Sequence, residues 1–77
     1  MTAVQHTLDV VGLKCPMPIL KAKKALAQLQ TGDVLTVLAT DGGAPDDFAA
    51  FCRQTGHELL SSTISDDAVF EIVVKHK

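Results

Sequence analysis

The chain has 77 residues, of which 47% are hydrophobic, with three Phe and neither Trp nor Tyr. A chain of this length forms one small domain, residues 1–77, and buries about 60–65% of the surface that the unfolded chain exposes. We therefore expect an aliphatic core and no binding by aromatic stacking. The formal net charge of −2 does not supply the basic surface that drives nucleic-acid affinity, so direct nucleic-acid binding is not expected.

The sequence carries no pattern of a membrane or exported protein. No apolar run approaches the roughly 20 residues that span a bilayer. Residues 1–6 have neither the basic start nor the apolar stretch of a signal peptide. The sequence therefore predicts a cytoplasmic protein with no membrane association, in which both cysteines remain free thiols.

The first half of the chain predicts a strand, a helix and a second strand. Residues 7–11 are rich in β-branched side chains and are followed by Gly12. Residues 16–31 form a helix that Gly32 closes, and residues 34–39 form a nearly continuous apolar strand. Two strands joined by a helix predict a parallel pair with a right-handed crossover. The predicted buried face of the helix consists of Ile19, Ala22, Ala25, Leu26 and Leu29.

The second half predicts a helix and a β-hairpin. The helix covers residues 46–55 and ends at Gly56, and strands over 58–65 and 68–75 are joined through residues 65–67. The order β-α-β-α-β-β predicts an α/β two-layer sandwich, in which two helices cover one face of a four-stranded mixed sheet. One stripe of the second helix is predicted to face the core, with Phe48, Phe51, Cys52 and Thr55.

Cys15 lies in the sequence Gly-Leu-Lys-Cys-Pro-Met-Pro, residues 12–18, between the first strand and the first helix. We expect Cys15 to be the N-cap, with Pro16 and Pro18 in the first helical turn, where a missing N–H removes no helical hydrogen bond. Pro16 also favours the extended backbone at Cys15 that an N-cap needs.

A sulfur at a helix start is predicted to be reactive. The N–H groups of Met17 and Ile19 are expected to face it and, together with Lys14, to lower its pKa and favour the thiolate. The alternative for Cys15 is a small buried side chain without chemistry. Cys52 is expected to be such a residue, because it shares a stripe with two phenylalanines and burial makes a thiol inert.

Asp41 follows the second predicted strand, so it should share the carboxyl edge of the sheet with Cys15. A carboxylate very close to the sulfur would raise the thiol pKa, so we expect Asp41 to shape its loop or to contact a partner. The segment Asp41-Gly42-Gly43 also allows an anion-binding loop, although the phosphate-binding fingerprints are absent and an ordinary turn is favoured.

Charge is distributed unevenly along the chain, with four of the seven basic residues between positions 14 and 24. Two apolar side chains, Met17 and Leu20, fall outside the predicted buried face of the first helix. Together with the nearby lysines they suggest a small apolar patch that has a basic rim and is suited to an acidic partner. The alternative is that Leu20 packs against the second helix or a loop and the lysines are only solvated. The predicted docking residues are Lys14, Met17, Leu20, Lys21, Lys24 and Asp41.

The histidines form no spaced cluster and the cysteines form no CxxC motif, so neither a metal site nor another cofactor is expected. A Cys-His catalytic pair has no support either, because no histidine lies near Cys15 in the sequence. The histidines are His6, His57 and His76.

The sequence resembles the TusA sulfur-carrier family, also called SirA-like, almost from end to end. The CPxP motif of residues 15–18 is the most specific part of this resemblance. The other matching positions are Leu8-Asp9, Gly12-Leu13-Lys14, Lys24, Leu26, Gly32-Asp33, Thr40-Asp41, Asp47, Phe51-Cys52 and Gly56-His57.

The resemblance implies a β-α-β-α-β-β sandwich and a persulfide-forming role for Cys15. The implied donor is a cysteine desulfurase or a rhodanese, and the implied acceptor is another protein of a sulfur relay. The chain would then be a sulfurtransferase-type carrier protein more than a self-sufficient enzyme. Gly42, Asp46 and Phe48 depart from the commoner family pattern, which leaves partner identity open.

Several functions remain open at this point. Related proteins serve tRNA thiolation, molybdenum-cofactor supply or sulfur oxidation, and the sequence does not separate these pathways. A protein-binding regulatory module without sulfur chemistry is the alternative function. A thiol redox sensor is disfavoured, because no second cysteine lies near Cys15 in the sequence.

Overall fold

The computed structural model describes residues 4–77. The first three residues, on which part of the expectation about a signal peptide rests, lie outside the described residues. The predicted order β-α-β-α-β-β is confirmed. The elements are β1 (Gln5–Val10), α1 (Met17–Ala27), β2 (Val34–Ala39), α2 (Ala44–Thr55), β3 (Glu58–Ile64) and β4 (Phe70–Lys75).

The four strands form one mixed sheet in the order β1-β2-β4-β3. β1 is parallel to β2, with Val10 opposite Ala39 at the end of the pair. β4 is antiparallel to both β2 and β3, and the β3–β4 pairing contains an irregularity between Leu59 and Ser61. Because β1 and β2 run in the same direction, the segments that follow them start from the same edge of the sheet.

Alternation along β2 separates the core from the open face of the sheet. Leu35, Val37 and Ala39 are buried, whereas the residues between them are half-buried. α1 and α2 pack together over the buried face, and Phe48 of α2 is fully buried there. Burial of one such side chain contributes about 1.5–3 kcal/mol relative to leaving it exposed, which makes Phe48 a major source of stability.

The predicted bounds of α1 were wrong at its C-terminal end, which lies at Ala27 instead of residue 31. The N–H groups of Gln28 and Leu29 donate to carbonyls three residues earlier, so the last turn is tightened. The Asp33 carboxylate then accepts the N–H of Gln30 at 3.0 Å and that of Val4 at 3.2 Å. These bonds fold residues 28–33 into a turn that leads into β2.

Other boundaries differ by one or two residues. β1 and α2 each begin two residues earlier than predicted, while β2 has the predicted bounds. Gly56 ends α2 as expected, with a left-handed φ of 88° that favours glycine. No helix within residues 4–77 is long and apolar enough to cross a membrane.

Candidate functional site

Cys15 is an exposed free thiol in the connection from β1 to α1. Asp41 is half-buried in the connection from β2 to α2. Since β1 and β2 are parallel and end together, both connections lie at the carboxyl edge of the sheet, as the sequence predicts.

The start of α1 corrects the predicted geometry around the sulfur. The helix begins at Met17, its N-cap is Pro16, and no side chain caps it. Cys15 is therefore not the N-cap, and Pro18 occupies the second helical position. The N–H of Met17 donates to the Lys14 carbonyl at 2.9 Å. That N–H is thus engaged by the backbone, which removes one of the two groups expected to stabilise a thiolate.

The two connections are joined by side-chain hydrogen bonds. The N–H of Cys15 donates to Asp41 Oδ2 at 3.1 Å, and the N–H of Gly43 donates to the other oxygen of that carboxylate at 3.4 Å. The N–H of Gly12 donates to Thr40 Oγ1 at 2.8 Å. Asp41 therefore shapes the loop and holds the backbone of Cys15, one of the two roles expected for it.

The electrostatic surroundings of Cys15 are the opposite of those predicted. Desolvation raises the pKa of the thiol, and the charge of the nearby Asp47 carboxylate raises it further. The charge of Asp41 acts in the same direction. The expected lowering of the pKa was wrong, because desolvation of the sulfur and the charges of the Asp47 and Asp41 carboxylates all raise it.

A groove of about 250 Å³ extends from Cys15 between α1 and α2. Its α2 wall contains residues 47, 50, 51 and 54, which are spaced i, i+3, i+4 and i+7 and so share one helix face. This spacing was the signal that could have identified the groove from the sequence. The lining residues are Cys15, Pro16, Ile19, Lys23, Asp47, Ala50, Phe51, Gln54 and Thr55.

The exposed side of α1 agrees with the predicted positions of Met17 and Leu20. Their side chains are 40% and 49% exposed, which favours the exposed patch over the alternative in which Leu20 packs against α2 or a loop. Lys14, Lys21 and Lys24 are also exposed. We call Lys14, Met17, Leu20, Lys21 and Lys24 the lysine-rimmed patch.

Cys52 differs from Cys15 in exposure, although desolvation raises the pKa of both thiols. It is only 5% exposed and belongs to the core cluster. Desolvation raises its pKa, and a buried thiol of this kind is inert. Cys52 therefore offers a matched internal control for experiments on Cys15.

Metal chemistry has no ligand set in the described part of the chain. Residues 4–77 contain no group of three or more His, Cys, Asp or Glu side chains that could hold a metal ion. The rings of two histidines, His57 and His76, are in contact, with their centroids 4.7 Å apart.

Comparison with known proteins connects this site to one family. The family model described as "Sulfurtransferase TusA" matches residues 6–76. The chain is 75% identical over 72 residues to a Neisseria meningitidis serogroup A protein named "Putative sulfur carrier protein", covering 94% of this chain and 96% of that one. It is 45% identical over 75 residues to "Sulfur carrier protein TusA" of Allochromatium vinosum, covering 97% of each chain.

A solved structure shows a similar fold. The crystal structure of a SirA-like protein from Desulfitobacterium hafniense matches with a TM-score of 0.82 and 31% sequence identity. The match covers 91% of this chain and 95% of that chain.

Proposed function

The chain belongs to the TusA family, and from this premise we propose that it carries sulfane sulfur as a persulfide on Cys15. The observation that carries the proposal is the contrast between its two thiols. Cys15 is exposed at the carboxyl edge of the sheet beside a groove, while Cys52 is buried in the core. Similar proteins named as sulfur carriers support the same function.

The proposed loading step conserves atoms and electrons. The Cys15 sulfur attacks the outer sulfur of a persulfide on a donor protein, forming a new S–S bond while the S–S bond of the donor breaks. The donor cysteine leaves as a thiolate and gains a proton, and the Cys15 thiol loses one. The donor persulfide and the carrier thiol thus become a donor thiol and a carrier persulfide. The same exchange with an acceptor unloads the carrier.

The proposed donor is a cysteine desulfurase or a rhodanese, and the proposed acceptor is a further protein of a sulfur relay. Such relays serve tRNA thiolation, molybdenum-cofactor supply or sulfur oxidation. We place the carrier in the cytoplasm, where a free thiol remains reduced. The raised pKa of Cys15 means that its sulfur is a weak nucleophile when no partner protein is bound. This favours a protein that serves as a substrate of other enzymes over a self-sufficient enzyme.

The proposed docking surface is the lysine-rimmed patch. Its apolar centre, Met17 and Leu20, is exposed, and both residues follow Cys15 within the first turns of α1. Cationic rims attract acidic partners and speed their association. Pro16, Pro18 and Ile19 support the position of the sulfur at the start of α1, and a partner contact by Asp41 would add to its role within the loop.

Mass spectrometry tests the carrier function. The protein is incubated with a cysteine desulfurase plus cysteine, or with a rhodanese plus thiosulfate. We expect a mass gain of one sulfur atom that a reductant reverses. Cys15→Ser should abolish the gain and Cys52→Ser should preserve it. Loading that survives in Cys15→Ser, or that is absent from the wild type with both donors, would contradict the proposal.

The exposed apolar centre of the patch also favours a second candidate, a protein-binding regulatory module without sulfur chemistry. This candidate predicts that Cys15→Ser retains partner affinity and cellular function. It also predicts that the combined change Lys21→Glu with Lys24→Glu removes both. A carrier predicts loss of cellular function in Cys15→Ser even where partner affinity remains.

A further inference from the structure

The groove beside Cys15 contains the carboxylate of Asp47, to which the proposed carrier function assigns no role. We propose that Asp47 is a positioning residue that holds the empty Cys15 as a protonated, weakly reactive thiol and thereby lets partners distinguish the empty carrier from the loaded one. This inference rests on the proposed function, because it concerns the same sulfur.

The first helical hydrogen bond of α2 and a side-chain hydrogen bond from Asp41 connect Asp47 and Cys15 to the same loop. The N–H of Asp47 donates to the Gly43 carbonyl at 3.0 Å, and the N–H of Cys15 is held by Asp41 at 3.1 Å. Both tethers end in the same short loop, residues 41–43. The Asp47 and Asp41 carboxylates also converge on Gly43, since a Cβ at that residue would lie 3.7 Å and 3.9 Å from their oxygens.

The direction of the Asp47 side chain follows from the helix that carries it. Asp47 is the first residue of the α2 face that lines the groove, and Cys15 lines the same groove from the opposite wall. Asp47 is half-buried there. A carboxylate at this position can accept a hydrogen bond only from a protonated sulfur, so it favours the thiol over the thiolate.

The other charges around the sulfur do not reverse this preference. Lys23 lines the groove from α1, and Lys14 precedes Cys15 in the chain; both favour the thiolate. Asp41 and Asp47 act in the opposite direction, and the net effect together with desolvation is a raised pKa. Desolvation, followed by the two carboxylates, therefore outweighs the lysines.

The consequence differs for the two states of the carrier. A persulfide is intrinsically more acidic than a thiol, so a carboxylate that keeps the thiol neutral near pH 7 still allows the persulfide to ionise. The empty carrier then reacts slowly with oxidants and electrophiles, while the loaded carrier presents an anionic outer sulfur for transfer. Asp47 widens the difference in reactivity between these states.

Alkylation of the empty protein by iodoacetamide tests the effect on the thiol. Its rate is measured from pH 5 to pH 10, with the modified residue assigned by peptide mass, in the wild type and Asp47→Asn. Asp46→Asn is the matched control, because the neighbouring Asp46 is exposed and does not line the groove. We expect Asp47→Asn to shift the pH midpoint downward and to raise the rate at pH 7 by about three- to tenfold.

A second measurement tests the distinction between the two states. The alkylation rates of loaded and empty protein are compared at pH 7. We expect the ratio of the loaded rate to the empty rate to be smaller in Asp47→Asn than in the wild type. The decrease should equal the factor by which Asp47→Asn raises the alkylation rate of the empty thiol. The loaded rate should change little, because an ionised persulfide has already reached its maximal rate. An unchanged midpoint, an unchanged ratio, or an equal shift in Asp46→Asn would overturn the inference.

These outcomes are separate from the test of carrier function. Suppose that the pH midpoint of alkylation shifts as expected but the wild type accepts no sulfur from either donor. The effect of Asp47 on the thiol is then supported and carrier function is refuted. In that case the proposed discrimination between empty and loaded states is refuted with it. If loading proceeds and the midpoint does not move, carrier function stands and the role of Asp47 is refuted.

Discussion

Removing the Asp41 carboxylate should loosen the connection that carries Cys15 and lower the stability of the whole domain. The carboxylate receives N–H groups from two residues, Cys15 at 3.1 Å and Gly43 at 3.4 Å. Asp41→Ala removes both bonds. Asp41→Asn retains a single carbonyl oxygen, which can serve only one of the two donors because they approach different oxygens.

The magnitude follows from the lengths of these bonds. A hydrogen bond to a charged group contributes about 1.5–3 kcal/mol, but water replaces part of that at an exposed loop. The Gly43 bond is longer than the usual 2.7–3.2 Å and adds little. We therefore expect Asp41→Ala to lower the free energy of unfolding by about 1–1.5 kcal/mol, and Asp41→Asn to lower it by about 0.5 kcal/mol.

Urea denaturation followed by far-ultraviolet circular dichroism measures both losses, since the chain has neither Trp nor Tyr as a fluorescence probe. With a slope of roughly 1 kcal/mol per M for a domain this small, the larger loss shifts the midpoint by about 1 M. Asp66→Ala is the control, because it removes an exposed carboxylate from the turn between β3 and β4. Equal losses in Asp41→Ala and Asp66→Ala would refute the bridging role of Asp41.

Three further predictions concern the core, the pH dependence of stability and the proposed docking surface. Phe48→Ala should lower the free energy of unfolding by about 3–5 kcal/mol, because Phe48 is fully buried; a loss under 1 kcal/mol by urea denaturation would contradict its place in the core. Desolvation and the charges of His76 and Lys77 lower the pKa of His57 from its ordinary 6.5, so the neutral form is favoured in the folded state. The contribution of His57 to stability should be fully present above pH 6.5 and should decrease as the pH falls towards the lower pKa of the folded state. His57→Gln should weaken this pH dependence, measured as the midpoint of urea denaturation. Lys21→Glu together with Lys24→Glu should slow loading by a donor protein about tenfold or more without changing alkylation of Cys15 by iodoacetamide, and unchanged loading would remove the patch as a docking surface.

The sequence predicted the fold well where one apolar pattern is bounded by polar residues. β2 has the predicted bounds because its apolar run lies between Asp33 and Thr40. The end of α1 was missed for a different reason. The segment after Ala27 still has helical spacing, but the side chain of Asp33 holds it in a turn. A contact between a side chain and a backbone several residues away has no signature in periodicity.

The same distinction explains what was found and what was missed at the site. The position of Cys15 follows from topology, because a parallel pair of strands brings both connections to one edge of the sheet. Its ionisation does not follow from local sequence. The helix start and Lys14 were visible beside Cys15, whereas Asp47 reaches the sulfur only through the packing of α1 against α2.

This difference changes the chemical interpretation of the cysteine. A lowered pKa would produce a nucleophile that reacts with any accessible electrophile, which is a poor property for an exposed thiol in a carrier. The carboxylates around Cys15 instead favour the neutral thiol, so reaction with a donor depends on what the donor protein contributes when it docks. A cationic group of the donor placed beside the Asp47 carboxylate would offset that charge and release the thiolate. Efficient loading should then require a folded donor protein, and small persulfides at the same concentration should load Cys15 far more slowly in the wild type than in Asp47→Asn.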